Sequence, residues 1–340
     1  MVDRRTVLAG ALMLPVAARA ERWDAIVDPR TGTLGKALEQ AAQAGGRPFR
    51  ILVRAGILVE KLTVTVPNVT IAGDGYGAIL SYGTYAGMQH ADGGIWGTGR
   101  TATLTIAAPG VTLRNLTIRN SFDFIGAKRD GAGNGAQAVA LMIRAEADRT
   151  RVADCQIEGY QDTLYIQSRS WLSGCRILGG VDFIFGGGAA WIEGCEIVTR
   201  FVPGADTSGY IAAPSTPAAQ PFGLVFHVCR LNREPGVPKR STWLGRPWRA
   251  GGNMALTGQA VFVQCVMDAH IKREGWTWMG YKGPDGEQRR LTPQEARLFE
   301  IGSRGPGAGP TSPTRRMLSA GEVANFTRTN VLDDWDGLAG

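Results

Sequence analysis

Short apolar segments recur along the middle of the chain at a fixed spacing. The spacing is 20 residues between RVADCQI at 151–157, WLSGCRI at 171–177 and WIEGCEI at 191–197, which superimpose with a cysteine in the same place. In each segment one large apolar residue stands three positions before the cysteine, and another stands two positions after it. A short, constant period of this kind is typical of a solenoid, in which each repeat lies on the previous one.

Three further segments carry the same pattern less regularly. FHVCRL at 226–231 and FVQCVM at 262–267 follow longer insertions, and LRNLTI at 113–118 has Leu116 in the cysteine position. The segments are short, rich in β-branched residues and bounded by Gly, Asn or Asp, which favours strands over helical repeats. We therefore predict an all-β protein, a single-stranded, right-handed parallel β-helix whose cysteines stack in the interior as small apolar side chains.

The ends of such a coil expose unpaired strand edges that must be covered. Residues 34–44 (LGKALEQAAQA) have the pattern of a short helix that could cap the first coil. Beyond about Trp276 the pattern fades into a Gly/Pro-rich segment at 302–313, and Ser319 begins a second helical pattern that we expect to fold back along the barrel. No linker divides the chain, so we expect one domain over residues 21–340.

The first twenty residues are predicted to be an export signal and not part of the fold. Arg4 and Arg5 precede an apolar run from Val7 to Ala18, and Ala18-Arg19-Ala20 is typical of a cleavage site. The paired arginines fit twin-arginine export, and an ordinary signal accounts for them equally well. Because the run is too short to span a bilayer, we expect an exported protein, periplasmic or extracellular, without membrane association after the signal is removed.

Composition and charge exclude some classes of protein. Hydrophobic residues make up 44% of the 340 positions, which is enough for a large core and excludes a disordered chain. The formal charge is +7, and the first twenty residues hold three arginines and one aspartate, so the remainder carries +5. This positive charge favours an anionic partner such as a polysaccharide; the alternative is that it serves only solubility. Nucleic acid is not expected, because the basic residues are scattered along the chain. The absence of a CxxC motif and the presence of only three histidines argue against a metal site.

Two aspartates occupy the same position in successive repeats. Asp162 and Asp182 each stand seven residues after a cysteine, one 20-residue coil apart. Stacked strands lie about 4.8 Å apart, so the two carboxylates would repel by about 3 kcal/mol at a dielectric of about 20, which separates their pKa values by about two units. Such a pair divides into a general acid and a nucleophile or base. The alternative is a pair of solvated turn residues.

Strict alternation of side chains along a strand would place Leu164 on the same face as Asp162, so a bend is required between them.

Glutamine, arginine and tryptophan supply the remaining candidate chemistry. Gln137 begins a predicted strand, QAVALMI, and Gln161 directly precedes Asp162. A side-chain amide can donate to an oxyanion, although most glutamines are surface or turn residues. Arg246, within LGRPW at 244–248, could bind a carboxylate through two parallel hydrogen bonds. Four tryptophans could either stack on sugar rings or pack in the core: Trp243, Trp248, Trp276 and Trp278.

At these positions the sequence resembles the pectinesterases, carbohydrate esterases that remove methyl groups from the carboxyls of polygalacturonan. The resemblance rests on QAVAL at 137–141, GYQDTLY at 159–165, VDFIFG at 181–186 and LGRPW at 244–248. It extends from about Thr31 to Trp335 and covers nearly the whole chain after the signal. The segment GILVE departs from the family pattern GxYxE, because Leu58 replaces the tyrosine; we expect its Glu60 to be structural.

The resemblance implies a role for each candidate residue. Asp182 would attack the C6 carbonyl carbon of a methylated galacturonate to form an acyl-enzyme, and Asp162 would act first as acid and then as base. Gln137 and Gln161 would donate to the oxyanion, and Arg246 would orient Asp182 and keep it anionic. Contacts with the substrate would come from Trp248, Tyr165, Phe183 and Thr103. The family needs no metal or organic cofactor, and we expect a monomer that acts on methylated polygalacturonate, the polymer of pectin.

Two other functions stay open at the level of the sequence. Carboxylates about 5 Å apart also suit a retaining glycosidase, and β-helices carry such enzymes. A β-helix that binds polysaccharide without turning it over is the third possibility. Methanol release without new reducing ends would separate the esterase from both alternatives.

Overall fold

The computed structural model describes residues 21–131, 135–204 and 209–336. The predicted export signal, residues 1–20, lies outside the described residues. Within these ranges the chain winds into successive coils whose strands stack on those of the preceding coil and form three parallel sheets. The parallel β-helix predicted from the repeat is therefore confirmed.

Each sheet stacks its strands in the order of the successive coils. The first sheet contains β1 (Ala25–Val27), β2 (Phe49–Val53), β5 (Val69–Gly73), β8 (Thr112–Arg114), β11 (Thr150–Ala153), β14 (Ser170–Ser173), β17 (Ala190–Glu193), β20 (Leu224–His227), β23 (Gln259–Val263) and β27 (Arg297–Ile301). The second contains β3 (Gly56–Val59), β6 (Ala78–Tyr82), β9 (Thr117–Asn120), β12 (Gln156–Glu158), β15 (Arg176–Gly179), β18 (Glu196–Thr199), β21 (Arg230–Arg233) and β24 (Val266–Met267). The third contains β4 (Leu62–Val64), β7 (Leu104–Ile106), β10 (Leu141–Ile143), β13 (Leu164–Ile166), β16 (Val181–Gly186), β19 (Gly209–Pro214) and β22 (Thr242–Gly245).

The strand register reproduces the 20-residue repeat. Val152 pairs with Leu172, and Leu172 pairs with Ile192, each one coil further along the stack. The five cysteines follow the same register in the interior, where all are buried and free. Leu116 occupies the cysteine position of its coil, because the residue after it pairs with the residue after Cys155. Stacked small thiols thus fill the same layer of the core coil after coil, as predicted.

One left-handed residue turns the chain from the first sheet into the second in each regular coil. The residue stands immediately before the cysteine position, and its φ lies between 51° and 62°. Asn, Asp and Gly accept this conformation at low cost, which explains why the sequence places them there. The residues are Asn115, Asp154, Gly174 and Gly194, with Val228 and Gln264 in the two later coils.

A helix covers the first coil. α1 (Leu34–Gln43) buries one face against the core and is capped by the Thr33 side chain. The Glu60 carboxylate accepts hydrogen bonds from the Leu34 and Gly35 backbone N–H groups, at 2.8 and 3.0 Å. The carboxylate satisfies N–H groups that a helix leaves unpaired and faces the positive end of its dipole. Glu60 therefore has the structural role expected for it.

The C-terminal segment folds back along the outside of the first sheet, as predicted. α3 (Ala320–Val323) begins with a capping box at Ser319, and α4 (Arg328–Val331) follows it. Val331 and Leu332 pack in one cluster with Trp171 and Trp191 of that sheet. The sequence analysis missed α2 (Phe124–Arg129) and an antiparallel hairpin formed by β25 (Met279–Lys282) and β26 (Gln288–Leu291). Among the described residues, no helix combines the length and apolarity needed to cross a membrane.

Candidate active site

A cleft of about 260 Å³ opens on the outer face of the third sheet. It collects residues from successive coils, because strands of one sheet carry their outward side chains to one surface. Most of the side chains in the cleft are polar or aromatic. Its lining is Thr98, Gln137, Gln161, Asp162, Asp182, Phe185, Ala213, Arg246, Trp248 and Met279.

The two predicted aspartates are equivalent residues of adjacent coils. Gln161 bridges to Val181, and Leu164 pairs with Ile184, so the 20-residue offset holds on both sides of the pair. The Asp162 backbone N–H donates to Val181 O at 3.0 Å. Both carboxyl groups line the same cleft. The repeat therefore places two acidic groups side by side, one lap of the coil apart.

The bend required between Asp162 and Leu164 is a left-handed backbone residue. Asp162 has φ 60° and Asp182 has φ 49°, in the region that Asp tolerates better than most residues. This conformation breaks the alternation of the strand, so Asp162 faces the cleft while Leu164 is buried in the core. Asp182 also lies at a register shift, because Val181 pairs with Tyr210 but Ile184 pairs with Ala212. The bulge aims the Asp182 carboxylate outward.

Arg246 binds Asp182 through both of its carboxylate oxygens. Arg246 Nε lies 2.9 Å from Asp182 Oδ1, and Nη2 lies 2.6 Å from Oδ2. The backbone N–H of Arg246 donates to Ala212 O at 3.0 Å, which fixes where the side chain begins. Asp182 is only 8% exposed. A buried carboxylate with a bidentate arginine is held in one orientation by two charge-assisted hydrogen bonds.

The two carboxyl groups differ in their electrostatic surroundings. Burial, followed by the negative charge of Asp182, raises the pKa of Asp162 well above its ordinary value, and the charge of Arg246 opposes this only in part. Burial also raises the pKa of Asp182, but hydrogen bonds from Arg246 and its charge work against that rise. Because Arg246 bonds to Asp182 and not to Asp162, Asp182 is the group that ionises first. Asp162 keeps its proton to higher pH.

Two glutamine amides complete the polar side of the cleft. The Ala138 N–H donates to Gln161 O at 3.0 Å, which places Gln137 beside Gln161, on the coil before it. Both side chains line the cleft with the aspartates. The expected strand from Gln137 to Ile143 is shorter than predicted, because β10 begins at Leu141. Gln137 lies in the chain just before that strand.

Two aromatic residues, Phe185 and Trp248, line the cleft, and Tyr165 packs against both without being part of the lining. Tyr165 stacks on Phe185 with ring centroids 4.2 Å apart, and Trp248 is tilted against Phe185 at 5.8 Å. The backbone N–H of Trp248 donates to Pro214 O at 2.8 Å, which anchors this residue beside the third sheet. Trp276, another of the candidate tryptophans, is fully buried in the core and does not reach the cleft.

Two residues expected to contact the substrate lie elsewhere, and the expectation for them is wrong. Phe183 is 0% exposed and packs inside the coil, because the bulge after Asp182 turns both Phe183 and Ile184 inward. Phe185, two residues later, takes the outward position. Thr103 is also 0% exposed, and its hydroxyl donates to Arg119 O at 2.9 Å. Its side chain ties neighbouring coils together and cannot touch a ligand.

The sequence analysis missed three cleft residues besides Phe185. Thr98 comes from a short 3₁₀ turn (Thr98–Arg100) in the insertion before β7, and Met279 comes from the hairpin far along the chain. Ala213 belongs to β19, two residues after the core residue Ile211. None of these three could have been found from the 20-residue period, because Ala213 pairs with Phe185 across a coil lengthened by an insertion. Across the described ranges, no group of three or more His, Cys, Asp or Glu side chains is arranged to bind a metal ion.

Comparison with known proteins gives consistent matches over most of the chain. The family model described as Pectinesterase matches residues 28–332. Pectinesterase A of Dickeya chrysanthemi is 39% identical over 314 residues, which cover 87% of this chain and 85% of the relative. A crystal structure of a pectin methylesterase in complex with hexasaccharide VII is 36% identical, with a TM-score of 0.89 over 94% of this chain and 100% of that chain. The pectin methylesterase from Yersinia enterocolitica is 40% identical, with a TM-score of 0.86 over 89% of this chain and 99% of that chain.

Proposed function

Because this chain belongs to the pectinesterase family and is a carboxylic ester hydrolase, we propose that it hydrolyses the C6 methyl esters of polygalacturonan to free carboxylate and methanol. The observation that carries the proposal is the pair of aspartates in register on adjacent coils, of which only Asp182 is bound by Arg246. One carboxyl is thereby suited to attack and the other to transfer a proton.

In the first half of the proposed reaction, Asp182 acts as the nucleophile. Its carboxylate oxygen attacks the C6 carbonyl carbon, and the carbonyl electrons move onto oxygen to give a tetrahedral oxyanion. Collapse of this intermediate breaks the bond to the methoxy oxygen, which takes the proton of Asp162 and leaves as methanol. An acyl-enzyme on Asp182 and an ionised Asp162 remain. The raised pKa of Asp162 supports this order, because the group must hold a proton while Asp182 does not.

In the second half, water cleaves the acyl-enzyme. Asp162 takes a proton from the water, and the resulting hydroxide attacks the same carbonyl carbon. Collapse releases the galacturonic acid product, frees the Asp182 carboxylate and leaves Asp162 protonated for the next cycle. The cycle consumes one methyl ester and one water molecule, and both aspartates return to their starting protonation states.

The other cleft residues support these two steps. Gln137 and Gln161, which line the cleft, would donate to the oxyanion, a contribution of about 3 kcal/mol for each well-aligned donor. Arg246 orients Asp182 through its two hydrogen bonds. Trp248 and Tyr165 supply apolar faces of the kind on which sugar rings pack. The aromatic residues would thus hold the sugar ring while the two aspartates react with its ester.

The experiment that tests the proposal measures two products from methylated pectin. We expect methanol and new acid in equal amounts, without new reducing ends. Reducing ends without methanol would indicate a glycosidase, and binding without either product would indicate a non-catalytic β-helix. Asp182→Ala should abolish methanol release while the far-ultraviolet circular dichroism and melting temperature stay near those of the wild type. Methanol release by this variant would remove Asp182 as the nucleophile.

We also propose that the protein is exported and acts as a monomer with one catalytic domain over residues 21–340. An anionic polymer outside the cytoplasm agrees with the charge of +5 that remains after residues 1–20. N-terminal sequencing of the protein secreted by its host should begin at Glu21, and size-exclusion chromatography with light scattering should give the mass of one chain. An intact N-terminus in the exported protein, or a dimer mass, would contradict these proposals.

A further inference from the structure

We propose that Tyr210 is a positioning residue that holds the guanidinium of Arg246 in the orientation from which it binds Asp182. The inference rests on the proposed function, because it gives Tyr210 a task only if Asp182 is the nucleophile. Tyr210 acts on the reaction through Arg246. It was not among the residues singled out from the sequence, and it lies outside the ten residues that line the cleft.

The sheet topology explains why Arg246 needs support. In the third sheet β19 lies between β16, which carries Asp182, and β22, which Arg246 directly follows. The Arg246 and Asp182 side chains must therefore together bridge two strand separations, about 9.6 Å, across the middle strand. A long side chain has many rotamers, and only a few of them present both nitrogens to the same carboxylate.

Tyr210 stands on the middle strand at the crossing point. It pairs with Val181, the residue before Asp182, on one side and with Trp243, on the strand that Arg246 follows, on the other. The guanidinium carbon of Arg246 lies 3.8 Å from the centroid of the Tyr210 ring. The aromatic ring supports one face of the planar cation, while the edge of the cation donates to Asp182 at 2.9 and 2.6 Å. Stacking and cation–π attraction thus select the rotamer that makes the bidentate pair.

The charged groups near the Tyr210 ring determine how loss of the ring would change the ionisation of Asp182. Asp182 faces Arg246 from β16, the charges of both act on Asp162 from the coil before Asp182, and the ring of Tyr210 stacks on Arg246 from β19. Without the ring, Arg246 would spend less time in the bidentate position. Burial would then raise the pKa of Asp182 with less compensation from Arg246, so Asp182 would ionise only at higher pH.

The test compares Tyr210→Leu and Tyr210→Met with Tyr210→Phe, which keeps the ring and loses only the hydroxyl. The readout is the pH dependence of kcat/KM for methanol release. We expect the acid limb of the profile to move up by about one pH unit in the two aliphatic variants, with a loss of about 10-fold below the limb and recovery above it. Tyr210→Phe should keep the wild-type limb. Using two aliphatic variants provides a second measurement if one of them does not fold.

A matched control removes an arginine–aromatic stack of the same distance elsewhere. The guanidinium carbon of Arg151 lies 3.8 Å from the centroid of the Trp171 ring. Because Trp171 belongs to the first sheet and the cleft lies on the third, Trp171→Leu should leave the acid limb unchanged. An unmoved limb in the aliphatic variants, a change in KM alone, a loss in Tyr210→Phe equal to that in Tyr210→Leu, or the same shift in the control would each overturn the inference. Failure of the wild-type protein to release methanol would instead overturn the proposed function.

Discussion

Replacing Asp162 by asparagine tests the division of labour between the two carboxyl groups. The proposed reaction requires Asp182 ionised and Asp162 protonated in the same molecule. The rate should therefore rise with pH as Asp182 loses its proton and fall again as Asp162 loses its own. An asparagine cannot titrate or transfer the proton, so Asp162→Asn should keep the acid limb of this profile and lose the alkaline limb.

The size of the effect follows from the register of the two strands. Stacked strands bring the carboxyls to about 4.8 Å, where two full charges repel by about 3 kcal/mol at an effective dielectric of about 20. That repulsion corresponds to about two pKa units. It acts on Asp162, because Arg246 stabilises the charge of Asp182, and burial raises the pKa of Asp162 further. Loss of the acid itself should lower kcat by about 10²- to 10⁴-fold.

The assay is methanol release from methylated pectin across the pH range, with an enzyme-free blank at each pH because esters hydrolyse in alkali. Asp154→Asn is the matched control: Asp154 also has a left-handed backbone, with φ 51°, but stands at the turn between the first and second sheets. This control should keep both limbs and the wild-type rate. An alkaline limb that persists in Asp162→Asn at the wild-type pH would refute the assignment of that limb to Asp162.

Three further predictions concern the oxyanion, stability and the core. Gln137→Ala and Gln161→Ala should each lower kcat by about 100-fold or more with little change in KM, whereas Gln156→Ala on the second sheet should change neither; an effect on KM alone would contradict the oxyanion role. Folding raises the pKa of Asp162 above its ordinary 3.8. The contribution of the protonated carboxyl to the free energy of unfolding is therefore complete below that pH, and it is lost as the pH rises through the pKa of the folded protein. Asp162→Asn should therefore raise the melting temperature at neutral pH, with a difference that disappears in acid; equal melting curves at neutral pH would contradict this. The five interior thiols should not react with a thiol reagent in the native protein, since burial shields them, and should all react after unfolding. Rapid reaction before unfolding would contradict the burial of these cysteines in the core of the coil.

The sequence predicted what depends on the repeat itself. A constant offset of 20 residues fixes which residues lie beside each other along the stack, and this suffices to bring Asp162 beside Asp182 and Cys155 beside Cys175. The capping helix and the C-terminal return were also predictable, because an exposed coil end must be covered. These features follow from spacing and burial, which a single sequence displays directly.

The direction of a side chain was harder to predict than its position along the stack. The bulge after Asp182 turns Phe183 and Ile184 to the same side, so the outward aromatic residue is Phe185 and not Phe183. Strand alternation carries no information about where such a bulge occurs. Thr98 and Met279 reach the cleft from an insertion and a hairpin, whose paths are set by tertiary packing and not by the period.

The same repeat that makes the two aspartates neighbours also makes them equivalent, and equivalent carboxyls would share their charge evenly. The difference between them has to come from outside the repeat. It comes from Arg246, which enters from a strand two positions further along the sheet and bonds to only one member of the pair. In the proposed reaction the coil provides proximity, while the arginine determines which carboxyl attacks and which keeps its proton. Residues that control the arginine, Tyr210 above all, should therefore influence the pH at which the enzyme works more strongly than residues that merely enclose the cleft.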